Sequence, residues 1–361
     1  MDVYLLMRIE QLPSAEGLLS SPMPNNWVRC LACGHRCKIS PGKEGICHVR
    51  YNREGRLFVP KNYVVGLQID PIEKKPFYHV LPGSAALSFG MLGCDFHCPY
   101  CQNWETSQAM RDPEAGAGVR GVEASEIVHL ALEHRAPVIT STYNEPLITA
   151  EWSADIFALA HEAGLLTSYV SNGNGTPEVM EYLAPHLDMM KIDLKGFRQR
   201  SYAALGGILQ NVLDTIALAK KMNKWVEIVT LLIPGFNDDE IELRELTQFL
   251  ASVSVDIPWH VTAFHPDYKM TENRGTTAQD LVRAAAIGKE AGLRFVYAGN
   301  LPGMTGGLEN THCPSCGLLL IERFGFHVRQ NKLAHGSTCP SCGTTIAGIF
   351  DRPEMQKMAE S

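Results

Sequence analysis

Residues 88–108 read SFGMLGCDFHCPYCQNWETSQ, and they place Cys94, Cys98 and Cys101 at C-x3-C-x2-C in a glycine-containing loop after a strand-like run. A four-iron cubane usually takes four cysteines, so a set of three leaves one iron open to a ligand that is not protein. A loop at the C-terminal end of a parallel strand is also where β/α folds put their chemistry. The competing reading of the same residues is a zinc site built from the three thiolates and His97, which lies inside the loop.

Outward from this loop, apolar runs of strand length alternate with helical patterns. Strands are predicted at 86–92, 138–142, 167–170, 189–193, 227–233, 260–263 and 294–297, and helices at 124–134, 150–163, 176–183, 211–222, 239–250 and 278–291. Such alternation describes βα units around a parallel sheet. Six or seven units fall short of a closed eight-fold barrel, so the expected class is α/β with a partial (β/α)6 TIM-like barrel. Residues 1–60 are predicted as a Cys-rich metal-binding module, 61–300 as the core, and 301–352 as a zinc ribbon with strands near 318–323 and 325–328.

The chain of 361 residues is 45% hydrophobic and 20% charged, which suits one large catalytic domain with small appendages. No run approaches the roughly 18 apolar residues of a membrane helix, and the start MDVYLLMRIEQLPSAEG lacks a basic segment followed by a long apolar one. A cytoplasmic protein with no membrane partner is therefore expected. A net charge of −7 disfavours broad binding to nucleic acid.

The 11 cysteines fall into three groups, which points to metal and cluster ligation in a reducing compartment rather than to a disulfide framework. Cys313, Cys316, Cys339 and Cys342 stand at C-x2-C-x22-C-x2-C, with Pro and Gly in both knuckles. Matched knuckles suit one tetrahedral zinc; a rubredoxin-like iron would use the same geometry. Cys30, Cys33, Cys37 and Cys47 are less regular, and read as zinc or as an auxiliary iron–sulfur cluster, with His35 and His48 as further ligand candidates.

The loop, with Tyr100 before its last cysteine, resembles the radical S-adenosylmethionine superfamily. The resemblance implies a 4Fe-4S cluster on Cys94, Cys98 and Cys101 whose open iron chelates the amino and carboxylate groups of S-adenosylmethionine. Reductive cleavage would then give methionine and a 5′-deoxyadenosyl radical. Further segments at later strand ends match the superfamily pattern. Thr142-Tyr143-Asn144-Glu145-Pro146 keeps the Glu-Pro of a Gly-Gly-Glu-Pro segment, which implies cofactor contacts at Asn144 and Glu145. Ser171-Asn172-Gly173-Asn174 resembles the Thr-Asn-Gly of activating enzymes, and Lys191-Ile192-Asp193-Leu194-Lys195 their Asp-Leu-Lys, implying contacts from Asn172, Asp193 and Lys195. Alternation along the strand puts Asp193 and Lys195 on one face. Residues 230–235 resemble the segment flanking the adenine, and His265, near the sixth strand end, is a further cofactor-binding candidate.

Over nearly its whole length the chain is similar to the AmmeMemoRadiSam-system radical SAM enzymes, relatives of pyruvate formate-lyase activating enzymes. The likeness rests on the Cys-x2-Cys-Gly-His-Arg-Cys-Lys-Ile start, the DPIEKKPFYH segment at 70–79, Cys-Pro-Tyr-Cys-Gln-Asn-Trp, Tyr-Asn-Glu-Pro and Tyr297-Ala298-Gly299-Asn300. It implies a barrel of the radical SAM type, an electron donor such as flavodoxin or ferredoxin, and protein partners of that system. The expected function is radical cleavage of S-adenosylmethionine on behalf of an unknown substrate. Two other readings stand beside it: a glycyl-radical activase with a protein substrate, and a non-catalytic zinc-binding interaction protein.

Overall fold

A computed structural model describes residues 12–333 and 336–351. At its centre is an eight-stranded sheet made of β1 (Gly66–Pro71), β2 (Ala85–Gly90), β3 (Val138–Ser141), β4 (Leu166–Ser171), β5 (Met189–Asp193), β6 (Trp225–Leu232), β7 (Trp259–Ala263) and β8 (Val296–Gly299). Spatial order follows chain order, and β2 to β8 are mutually parallel. Parallel neighbours need a crossover. It is supplied by α1 (Ala124–Glu133), α2 (Ala150–Glu162), α3 (Pro177–Leu183), α4 (Leu209–Lys221), α5 (Glu240–Val253) and α6 (Ala278–Glu290). Every strand and helix expected in the core forms.

One strand of this sheet was not expected. β1 pairs antiparallel with β2 and occupies the sheet edge, half exposed and ending in Pro71. Its short mixed run carries none of the continuous apolar signal of β3, whose four residues are all buried.

Register partners on adjacent strands share a face, so Lys191↔Glu227, Val229↔His260 and His260↔Tyr297 stack these residues on the face that also carries Asp193. Glu227 is fully buried there. It accepts from the Tyr78 and His79 amides at 2.9 Å, from Trp225 Nε1 at 3.0 Å and from His260 Nε2 at 2.7 Å. Burial alone would push its carboxyl up; His260 and the other donors outweigh it and hold the group below its usual value. The DPIEKKPFYH segment is thereby fastened beneath the sheet.

Beyond β8, strands Thr311–His312, Leu319–Phe324 and His327–Asn331 form a small antiparallel sheet. The second strand of its hairpin begins at His327 rather than at 325, because Gly325 adopts φ +59° and turns the chain. Buried Arg323 ties this sheet to the core, donating to the Tyr78 carbonyl at 2.7 Å and to Thr311 Oγ1 at 2.8 Å. Its Leu320, Ile321, Leu333 and Ile346 form a second apolar cluster with Tyr78, Phe295 and Tyr297, apart from the main one. The N-terminal segment differs: Val28, Val49, Tyr51 and Leu57 belong to the same cluster as the core strands. Of the expected modules, residues 1–11, 334–335 and 352 lie outside the described residues. Among the described residues no single helix is long and apolar enough to cross a membrane.

Candidate active site

The strand-to-helix loops open into one cavity of about 410 Å³, and all seven parallel strands contribute to it. The loop after β2 brings Cys94, Cys98 and Cys101, while later strand ends bring Asn144, Glu145, Asn172, Asp193, Lys195, Val229, Thr262 and Asn300. Residues some 200 positions apart meet because every parallel strand delivers its C-terminal end to the same side.

Three soft thiolates on one loop, facing one cavity with no fourth cysteine on its wall, fit a cluster that keeps a position open. The Phe96 amide donates to Cys94 Sγ at 3.3 Å, and Ser107 Oγ lies 3.2 Å from Cys101 Sγ. Burial pushes all three thiols up, Cys98 to about 12, so ligation must displace their protons. Tyr100 is buried on the cavity wall, edge-on to Phe236. His97 is exposed, with its ring over Gly206 and off the cavity wall, so it does not complete a four-ligand zinc set.

Asn144 Oδ1 accepts from the Met91 amide at 3.0 Å, linking the third strand end to the cysteine loop. Glu145 is 2% exposed and fastens the next loop: its oxygens accept from Ser171 Oγ and the Asn172 amide, each at 2.7 Å, and from Leu147 N at 3.1 Å. It also caps the short 3-10 turn Pro146–Thr149. Asn172 Nδ2 in turn donates to Asp95 at 2.7 Å. The structure thus places Glu145 as a positioning residue as well as a wall of the cavity. Tyr143, between these groups, holds φ +71°, an uncommon conformation for a bulky side chain and one concentrated at functional sites.

Asp193 and Lys195 share a face as alternation predicts, with Lys195 Nζ 3.4 Å from Asp193 Oδ2. Lys191 belongs to the same face and closes on Asp193 from the other side. Burial would raise the Asp193 carboxyl, but Lys191 and Lys195 outweigh it and hold it below its usual value. Lys191 itself is lowered, first by burial. His265 stands apart: it is exposed, 3.1 Å from Gln102, and is not on the cavity wall.

Sequence reasoning missed several lining residues. Lys191 was legible from the same period-two alternation that puts Asp193 and Lys195 on one face. Lys74 and Lys75 lie in the 70–79 segment, whose composition alone does not say which way it faces. Lys75 is 4% exposed and reaches Asp70 at 2.9 Å and the Tyr143 hydroxyl at 3.2 Å, and burial lowers its ammonium. Phe326, from the C-terminal hairpin, also reaches the cavity, which no local pattern announces.

The C-terminal cysteines come together closely. Cys313 and Cys342 sulfurs are 3.6 Å apart, Cys316 and Cys339 3.7 Å, and all four lie within 4.8 Å of one another. Both knuckles turn at a glycine with φ +74°, Gly317 and Gly343, whose amides close on the Cys313 and Cys339 carbonyls. A metal-binding site of four cysteines is thus formed.

The family model described as the radical SAM superfamily matches residues 90–247. An uncharacterized protein of Methanocaldococcus jannaschii is 37% identical over 334 residues, spanning 92% of this chain and 98% of its own. The pyruvate formate-lyase-activating enzyme of Staphylococcus aureus is 23% identical over 189 residues, 48% of this chain and 72% of its own. A radical SAM methyltransferase from Sphaerobacter thermophilus aligns with a TM-score of 0.48 and 15% identity, over 85% of this chain and 81% of that one. Residues 90–247 thus form a radical SAM superfamily domain. The protein is a radical SAM enzyme with homology to pyruvate formate-lyase activating enzymes, and that domain implies an iron–sulfur cluster and S-adenosylmethionine. The reading of a non-catalytic interaction protein is set aside.

Proposed function

We propose that this enzyme cleaves S-adenosylmethionine at a 4Fe-4S cluster held by Cys94, Cys98 and Cys101, in a partial (β/α)6 barrel, and directs the resulting radical chemistry at a substrate in the same cavity. One observation carries this: the three cysteines and the candidate contacts Asn144, Glu145, Asn172, Asp193 and Lys195 line a single cavity at the C-terminal ends of parallel strands. When bound and reduced, the cluster supplies the electron that breaks the sulfonium S–C5′ bond of S-adenosylmethionine.

The chain's own residues bind and orient. The three thiolates hold the cluster. Asp193, paired between Lys191 and Lys195, presents a carboxylate for ribose hydroxyls, and the two ammonium groups balance it so that it stays ionised while buried. Asn144, Glu145 and Asn172 lock the loops after β3 and β4 to the cysteine loop, keeping the cofactor's place rigid. His265 is kept as a cofactor-binding candidate at the rim, through Gln102. The C-terminal four-cysteine site suits zinc, as a structural ion of a ribbon at 301–352 that follows the core at 61–300 and the N-terminal module at 1–60. An electron donor such as flavodoxin or ferredoxin, partners of the AmmeMemoRadiSam system and a cytoplasmic setting complete the proposal.

The test is anaerobic reconstitution, then dithionite and S-adenosylmethionine, with 5′-deoxyadenosine measured by chromatography. It is expected to accumulate; its absence from iron-replete protein would refute the reading. Likeness to an activating enzyme favours one second reading, activation of a glycyl-radical protein. A glycyl radical in a co-incubated partner, seen by electron paramagnetic resonance, is its signature.

A further inference from the structure

We infer that Cys30, Cys33, Cys37 and Cys47 hold a second iron–sulfur cubane, seated against the outer side of the loop that carries Cys94. The inference goes beyond the S-adenosylmethionine chemistry and does not depend on it.

Sulfur spacing is the first ground. A single tetrahedral ion with metal–sulfur bonds of about 2.3 Å draws its four sulfurs to roughly 3.8 Å from one another. The C-terminal set has that spacing, at 3.6 and 3.7 Å. Among the described residues, no three sulfurs of the N-terminal set lie within 4.8 Å of one another. They nevertheless lie together: the Cys30 amide donates to the Cys37 carbonyl at 2.9 Å, the Arg36 amide next to Cys37 donates to the Cys33 carbonyl at 3.0 Å, and the Ile46 amide next to Cys47 reaches Cys37 Sγ. Thiolates that each cap their own iron stand roughly 6 Å apart around a cubane. The set on the Cys94 loop is likewise open by the 4.8 Å measure.

The surrounding backbone is shaped for thiolates. The Ile46 amide donates to Cys37 Sγ at 3.5 Å, as the Phe96 amide does to Cys94. Arg36 and His48 hold φ +45° and +59°, left-handed conformations that turn the chain sharply next to Cys37 and Cys47. Two buried nitrogens beside the set, His35 Nε2 and Arg50 Nε, have no hydrogen-bond partner among the described residues. Arg50 is 1% exposed, its two terminal nitrogens are taken by Glu151 and its carbonyl by the Gly45 amide of the same loop, so its free Nε–H suits a sulfide or thiolate acceptor.

Position is the third ground. Asp95, fully buried next to Cys94, takes hydrogen bonds from Asn172 and Asn174 and lies 3.9 Å from Nε2 of His35, two residues from Cys33. A Cβ at Gly93 would come within 2.7 Å of Val49 Cγ1 and 3.1 Å of the Cys47 carbonyl. The two cysteine loops are packed back to back with no spare volume.

The experiment uses the full chain with Cys94, Cys98 and Cys101 all changed to Ala, reconstituted anaerobically, with iron, sulfide and zinc counted and the dithionite-reduced protein examined by electron paramagnetic resonance. About four iron and four sulfide per chain should remain, with a reduced-cluster signal. A complementary variant, Cys33→Ser with Cys47→Ser, should lose that share while keeping the cluster on the Cys94 loop. A sulfide-free triple variant carrying a second equivalent of zinc, or a complementary variant with unchanged iron, would overturn the proposal. Failure of the Cys94 cluster alone would instead count against the proposed function.

Discussion

Two sets of four cysteines flank the catalytic loop, one towards each end of the chain, and the fold treats them differently. The C-terminal four sit on two glycine-turned knuckles with sulfurs 3.6 and 3.7 Å apart, in a module whose apolar residues cluster apart from the main core, with Tyr78, Phe295 and Tyr297 as its seam to the barrel side in that cluster. The N-terminal four are spread more widely, and Cys30, Cys33 and Cys47 belong to the main core. A module that packs on a small second cluster and carries a metal staple can loosen without opening the main core. A segment sharing the main core and packed on the catalytic loop cannot, so damage there should reach the active site.

The largest effect is expected at the loop between them. Cys98→Ala should reduce 5′-deoxyadenosine to background while leaving the metal of the C-terminal set in place; turnover by this variant would break the assignment. Next comes Glu151→Gln at the N-terminal side. Glu151 pairs with buried Arg50 at 2.6 and 2.8 Å and accepts from the Leu18 and Leu19 amides. Stranding the Arg50 charge should cost about 3–5 kcal/mol in urea unfolding. A loss below about 1 kcal/mol would mean that the N-terminal segment is not welded to the core.

The joint on the C-terminal side should respond to pH. His79 bonds the Ala347 carbonyl and the Tyr297 hydroxyl, each at 2.6 Å, and burial pushes its imidazole down to about 4 from 6.5. A histidine neutral in the fold but protonated when unfolded contributes stability above pH 6.5 that is lost as pH falls towards about 4. At full extent this is about 3 kcal/mol. Urea midpoints at pH 7, 6 and 5 should fall for the native chain and fall less for His79→Asn; equal slopes would remove His79 as the cause. Smallest is Cys339→Ala, expected to cost about 2 kcal/mol because Arg323 and His79 still hold the module. Proteolysis between residues 313 and 342 should increase with iron unchanged. Loss of the iron–sulfur cluster from this variant while it stays folded would erase the distinction between the two ends.

Legibility tracked how local each signal is. The strands β2 to β8 and the crossover helices were readable because burial on both faces leaves continuous apolar runs and amphipathic helices leave a 3.6-residue period. β1 was not, since an edge strand needs no such run. In the site, Asp193 and Lys195 were marked by their resemblance to an Asp-Leu-Lys segment and their shared face by alternation, while Lys75 and Phe326 arrive by tertiary folding from segments whose sequence carries no direction. Glu145 shows the same limit: its Glu-Pro motif marks the place, but only the structure shows its carboxylate engaged by Ser171 and Asn172.

The sequence by itself determined the inventory of ligands and their grouping, because short spacings such as C-x3-C-x2-C confine side chains to one loop whatever surrounds them. It also determined the order of βα units, which the periods of buried faces impose. Only the tertiary structure decided how far apart the sulfurs of each set stand, which lysines enter the cavity, and that Asp95 lies between two cysteine loops. Those are distances between residues remote in the chain, set by the packing of a whole core rather than by any local run.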